Sequence, residues 1–243
     1  MRDVTPEFFA LGLIWYIVFL FSTTCHEAAH ALAAKIGGDP TAFHGGQASL
    51  NPIPHIRREP FGMVLVPILT YFVVSRGSMI GWASAPYDPD WERRYPRRAA
   101  WMALAGPGAN FSLMLLAAAA IRGGVAAGIF QAPQVANFSH IVEAADPGGA
   151  GSLLAFAATF LSVLFLLNLL LGSFNLLPVP PLDGSSGITL LMSERTALRY
   201  LELLKEPMFR MMGLLAAWWL FGQAFDVVFT VALNLLYPGA SYR

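Results

Sequence analysis

Charge is what this chain has least of. Lys and Arg number 15 in 243 residues and Asp and Glu another 15, so only 12% of the sequence is charged. A soluble domain carries about 25%, and with 56% hydrophobic residues and a mean hydropathy of +0.56 the chain reads as a membrane protein. The two signs balance, which argues against a nucleic-acid partner. Cysteine is almost absent: Cys25 stands alone, and an internal disulfide is excluded. Internal repeats are lacking, and no segment reads as a separate soluble domain or tail, so residues 1–243 are expected to form a single domain in a lipid bilayer.

Long apolar runs are present instead. The first starts near Pro6 and continues to about Ile36, and its stretch from Phe8 to Phe21 holds no charge. About thirty residues suffice for a crossing. In its last third stands Cys25-His26-Glu27-Ala28-Ala29-His30. Residues four apart share a helix face, so His26 and His30 can ligate one metal, and Glu27 can reach a water there as general base. Cys25 lies about 100° around the helix from His26 and reads as a small packing residue. Ionisable groups ending such a run are costly in lipid and mark a functional site by default. The alternative is a pair of structural histidines bonded to neighbouring helices. Ala31-Leu32-Ala33 resembles a signal-peptide cleavage site, but a signal peptide has no use for His-Glu-x-x-His just before the cut.

Gly37-Gly38-Asp39-Pro40 ends the helix. Residues 41–56 are predicted as short extended segments, because the X-Pro steps push Asn51 and Ile53 out of helical geometry. Phe61 to Val74 is apolar but only about fourteen residues, too short for an ordinary span. Ile80 to Pro86 reads as extended, and Arg93, Arg94, Arg97 and Arg98 follow. A second span, about 99–121, contains Ala105-Gly106-Pro107-Gly108-Ala109-Asn110. Its small residues permit close helix approach, Pro107 suggests a kink, and Asn110 reads as helix packing. Residues 122–150 form a polar loop in which His140 is solvated.

The third span, about 153–178, runs into Gly172-Ser173-Phe174-Asn175-Leu176-Leu177-Pro178-Val179-Pro180-Pro181-Leu182-Asp183-Gly184. Irregular backbone at membrane depth survives only where protein or a water-filled cavity encloses it. Asp183 therefore faces something polar. A metal explains that cost, and a helix cap for the next segment is the alternative. Residues 188–205 read as amphipathic and 211–237 as a last crossing. The expected fold class is an all-α polytopic membrane protein. It has about four full transmembrane helices (6–36, 99–121, 153–178, 211–237), a re-entrant or interfacial segment, and short membrane-associated β-strands.

Both polar motifs lie late in their spans, so they share a depth only if those spans run in the same direction. The middle span reverses direction once, and residues 37–98 must then begin and end on one side. Phe61–Val74 should accordingly enter and return, or lie at the interface, rather than cross, and the arginine-rich segment 76–98 marks that side as cytoplasmic.

Together the motifs resemble a known family. His26-Glu27-x-x-His30, with Asn175-x-x-Pro178-x-Pro180-x-Leu182-Asp183-Gly184 in a later span, is similar to the site-2 protease family of intramembrane zinc metalloproteases. Ala105-Gly106-Pro107 and Asn51-Pro52-Ile53-Pro54-His55 extend the likeness over nearly the whole chain, closest to compact prokaryotic members without PDZ or CBS domains. Several relatives carry an acidic residue soon after the position of His55, where this chain has Arg57-Arg58-Glu59, and a functional role for His55 is left open. The resemblance implies one Zn2+ per chain bound by His26, His30 and Asp183, with Glu27 as general base on zinc-activated water and Asn175 stabilising the oxyanion. It implies a transmembrane protein substrate cut in or near its membrane segment, and composition suggests a bacterial inner membrane. A catalytically silent zinc-binding protein that captures membrane partners, and an ion transporter, are the competing readings. Intact Glu27 speaks against the first, and few buried charges without an inverted repeat against the second. Substrate backbone must unwind to be cut and then needs hydrogen-bond partners, for which His44–Leu50 and Ile80–Ala85 are the expected strand edges.

Overall fold

The computed structural model describes residues 5–74, 77–146 and 151–242, the side chains of Gly151 and Ser152 excepted. Arg76 of the arginine-rich segment and residues 147–150 of the polar loop lie outside them. Among the described residues, four helices are long and apolar enough to cross a membrane: α1 (Pro6–Gly37), α6 (Pro96–Ala126), α7 (Gly151–Asn175) and α10 (Pro207–Leu236). Between them lie α2 (Thr41–His44), α3 (Pro52–Arg58), α4 (Phe61–Val74) and α5 (Pro89–Arg94), then α8 (Asp183–Gly187) and α9 (Glu194–Leu204). The chain is an integral multi-pass membrane protein of all-α class.

Helix α1 starts where Thr5 caps Phe8 N–H and Pro6 supplies the first turn, and it ends at Gly38, whose φ of 101° only glycine adopts without strain. Helices α1, α6 and α7 pack on one another, with Val18, Phe19, Ile121, Val163 and Leu166 fully buried between elements. In lipid such contacts hold by close packing and interhelical hydrogen bonds rather than by the hydrophobic effect. Helix α10 contributes less, and most of its apolar surface is outward.

The ends of α1 and α6 settle the middle of the chain. Trp91 Nε1 and Arg98 Nη1 both donate to Gly37 O at 3.0 Å, so residues 37 and 98 lie on one side. Between them α4 runs back along α1 until the Tyr71 hydroxyl donates to Phe8 O at 2.6 Å. The chain then returns in extended form: Ile80 N–H donates to Thr70 Oγ1, Trp82 N–H to Gly62 O, and Asp88 N–H to Asp39 Oδ2. Phe61–Val74 thus enters and returns. Its fourteen residues consist of two π-type turns flanking one α-helical turn.

Two local expectations are corrected. Residues 41–44 and 52–58 are helical, not extended. Asn51 does stay extended, at ψ 119°, and caps Ile53 N–H, but Pro52 and Pro54 then occupy the first turn of α3, where the backbone N–H groups have no intrahelical acceptor and proline loses nothing. The paired strands β1 (Phe130–Gln131) and β2 (Glu143–Ala144) lie in the polar loop at the other end of the bundle. There His140 Nε2 meets Glu143 Oε1 at 2.7 Å, so it is paired rather than merely solvated.

Candidate metal centre

His26 lies eleven residues before the end of α1, about 16 Å of helix from that surface. Its Nε2 approaches His30 Nε2 at 2.9 Å, with the rings in T-shaped contact at 4.6 Å between centroids. Asp183, at the first position of α8, brings Oδ2 to 3.1 Å from His26 Nε2 and 3.3 Å from His30 Nε2. The Asp183 carboxylate caps no helix: none of the α8 N–H groups takes it as a cap. The cis Pro180–Pro181 peptide lies in the turn before it, and Gly184 packs so tightly under Leu176 O that a Cβ there would overlap it.

The outward ring nitrogens are occupied. His26 Nδ1 lies 2.6 Å from Asn110 Oδ1 and His30 Nδ1 lies 2.8 Å from Met102 O, both acceptors, so each Nδ1 carries the hydrogen. The two Nε2 atoms of neutral rings then point bare lone pairs at each other and at a carboxylate oxygen that has no hydrogen-bond donor. Three ligand atoms converging without a proton between them repel unless a cation sits among them. A Cβ on Gly106 would overlap both Nε2 atoms, so the small residue of the Ala105-Gly106-Pro107 turn leaves room for the pair. The donor set of two imidazoles and one carboxylate suits zinc, with a fourth position left open.

A cavity of about 950 Å³ opens on these atoms and is lined by His26, His30, Glu27, Asn175 and Asp183. All five residues singled out from the sequence therefore meet in one place. Asn175 Nδ2 donates one of its two N–H groups to Leu171 O at 3.0 Å. Ile80–Ala85 forms one wall, and the N–H groups of Gly81, Ala83 and Ala85 find no acceptor among the described residues. His44–Leu50 does not line the cavity, and it is a helical turn followed by bends rather than an edge. His55 is buried, does not line the cavity, and has Nε2 3.2 Å from Ser49 O. Cys25 is no part of the cluster. The sequence reading missed Gly106 as the floor beneath the histidines, and it assigned Asn110 to packing although Asn110 is a partner of His26.

Two groups outside the membrane-spanning helices have shifted proton affinities. Burial pushes the Tyr87 phenol up to about 12, and the negative charge of the Glu92 carboxylate adds to this, so Tyr87 stays neutral. Burial raises Asp39, but the Thr41 hydroxyl and N–H and the Asp88 N–H outweigh it and hold the carboxyl below the usual range.

A comparison with known families matches the model described as Peptidase family M50 to residues 14–219. The chain belongs to peptidase family M50, the site-2 protease family. YwhC of Bacillus subtilis (strain 168), provisionally named a zinc metalloprotease, is 31% identical over 180 residues, covering 73% of this chain and 69% of that one. No solved structure matches. The matched M50 region spans α1 through the first half of α10 and so contains every residue of the metal cluster. Membership makes the chain a membrane metalloprotease.

Proposed function

We propose that this protein is an intramembrane zinc endopeptidase that hydrolyses a peptide bond in or near the transmembrane segment of a membrane-protein substrate. The observation that supports it best is the convergence of His26 Nε2, His30 Nε2 and Asp183 Oδ2 in a cavity that also holds Glu27. These three residues would hold one zinc. Bound there, zinc would supply Lewis acidity, making a water acidic near neutral pH and polarising the scissile carbonyl. Glu27 takes the proton of the attacking water as its oxygen adds to the carbonyl carbon. The C–N bond then breaks, and Glu27 passes the proton to the leaving amine. Asn175 donates an N–H to the oxyanion, a contribution of about 3 kcal/mol.

An intact substrate helix covers its carbonyls, so the substrate must unwind, and its freed backbone groups each cost several kcal/mol in an apolar setting without partners. The Ile80–Ala85 wall has N–H groups free to donate to the substrate's carbonyls in β-fashion. Substrates with Gly, Pro or Asn near the cut are favoured, since their helices open at lower cost. Arg98 meets the end of α1 at Gly37 O, with Arg93, Arg94 and Arg97 close by in the chain, which supports a site facing the cytoplasm of a bacterial inner membrane.

The test is purified protein in lipid vesicles with a helical membrane substrate. Cleavage that stops with a chelator and returns with zinc is expected. A chelator-insensitive product overturns the zinc mechanism, and no product at all from zinc-loaded protein leaves the partner-capturing alternative.

A further inference from the structure

The polar groups buried between α1, α6 and α7 form one hydrogen-bonded chain leading away from the metal centre. Asn168 Nδ2 donates to Leu164 O and to Ser22 Oγ, both at 2.8 Å, and Asn110 Nδ2 donates to Asn168 Oδ1 at 2.8 Å. The far end is His26 Nδ1, 2.6 Å from Asn110 Oδ1. Ser22, Asn110 and Asn168 have no solvent exposure at all. Buried amides in an apolar bundle are costly unless every group is bonded, yet simple satisfaction would allow the chain to run in either direction.

One atom removes that freedom. A carboxamide looks the same with its oxygen and nitrogen exchanged, so the direction must come from a group that cannot be turned around. Leu164 O is such a group, because a carbonyl only accepts. The Asn168 atom facing it must be the NH2, and the Asn168 oxygen must face Asn110. That oxygen in turn requires the Asn110 NH2, which leaves the Asn110 oxygen toward His26. His26 Nδ1 must then donate, and Nε2 is left as the bare nitrogen facing His30 and Asp183. The opposite tautomer would place N–H at Nε2, where it cannot ligate. His30 receives the same instruction directly from a backbone carbonyl, Met102 O. His26 obtains it through two amides from a third helix.

We propose that Asn110 and Asn168 are positioning residues of the metal centre, a two-amide relay that carries the polarity of Leu164 O to His26 and holds its Nε2 ready for the ion. This rests on the assignment of His26, His30 and Asp183 as ligands. Partners of this kind typically govern metal affinity by 10- to 100-fold. Asn168 is the informative member: it touches no ligand, and its hydrogen bonds reach the His26 ring through Asn110.

The experiment measures zinc affinity of the full-length protein in detergent by chelator competition, with the visible spectrum of the cobalt form as a second readout. Asn168→Leu should weaken zinc about 10- to 100-fold and shift the cobalt bands. Asn168→Ser keeps a polar group that bonds in either direction and should weaken zinc in the same sense, which covers a leucine variant that fails to fold. Asn110→Asp offers His26 an obligate acceptor whatever Asn168 does, so adding it to either Asn168 variant should restore affinity to within about threefold of wild type. Affinity unchanged by both Asn168 variants, or lost without rescue by Asn110→Asp, overturns the relay. His26→Ala separates the two assignments: zinc lost there but kept in the Asn168 variants refutes the relay alone, whereas zinc kept in His26→Ala refutes the metal site itself.

Discussion

Gly106→Ala is the smallest change that should disable the centre. An ideal Cβ at this position falls 2.6 Å from His30 Cε1 and closer still to both Nε2 atoms, whereas ordinary contact begins at 3.4 Å. The rings must therefore retreat by about 0.8 Å or more, or α6 must back away from α1 by as much. Either movement exceeds the ±0.2 Å within which ligand distances identify a metal site. It also approaches the 1 Å displacement that can cost about 100-fold in rate. The expectation is a loss of zinc affinity of at least tenfold and of turnover of about 100-fold, with helix content unchanged by circular dichroism. Chelator competition and a cleavage assay on the same preparation measure both. A Gly106→Ala protein that binds zinc and cleaves within about threefold of wild type would refute the claim that Gly106 makes room for two ligating histidines.

Asn175→Ala should lower turnover about 100-fold without loss of zinc, if its second N–H serves the oxyanion; metal loss in this variant would place it in the ligand set instead. Ala83→Pro removes one N–H of the cavity wall and should reduce cleavage with zinc content unchanged, whereas Ala48→Pro, outside the cavity, should be silent. Asp39 supplies a pH dependence. Its folded carboxyl is held below the ordinary value of about 3.9, so its contribution is fully present above that value and is lost as pH falls through the lower folded one. Thermal stability should accordingly decline below about pH 4, and Asp39→Asn should flatten that decline; an unchanged acid slope in Asp39→Asn would contradict it.

How much of this was legible in the sequence depended on whether the signal was local. His26 and His30 announce themselves by helical spacing, and Asp183 by the cost of a carboxylate in proline-broken apolar chain. The four spans follow from length and hydropathy, and the return of Phe61–Val74 from the requirement that two motifs share a depth. The helices at 41–44 and 52–58 were misread because X-Pro was taken as a barrier, although a proline in a first turn is no barrier at all. Gly106 and Asn110 lay in plain view as small and polar residues of one turn. What they touch is decided by how α6 crosses α1, and no local pattern encodes that. Asn168 is an isolated amide within Phe165-Leu166-Leu167-Asn168-Leu169-Leu170-Leu171. Its polarity at membrane depth was the signal, and only the three-helix packing supplies the meaning.

The central claim, hydrolysis by Glu27 at a zinc held by His26, His30 and Asp183, is tested most directly by Glu27→Gln in lipid vesicles, with zinc content and cleavage of a helical membrane substrate measured on one sample. Glutamine keeps the shape of the side chain and its capacity for hydrogen bonding but cannot take a proton. The account predicts wild-type zinc content with turnover reduced about 100- to 10,000-fold, the range of general-base catalysis. Cleavage within about tenfold of wild type by the zinc-loaded variant would contradict it.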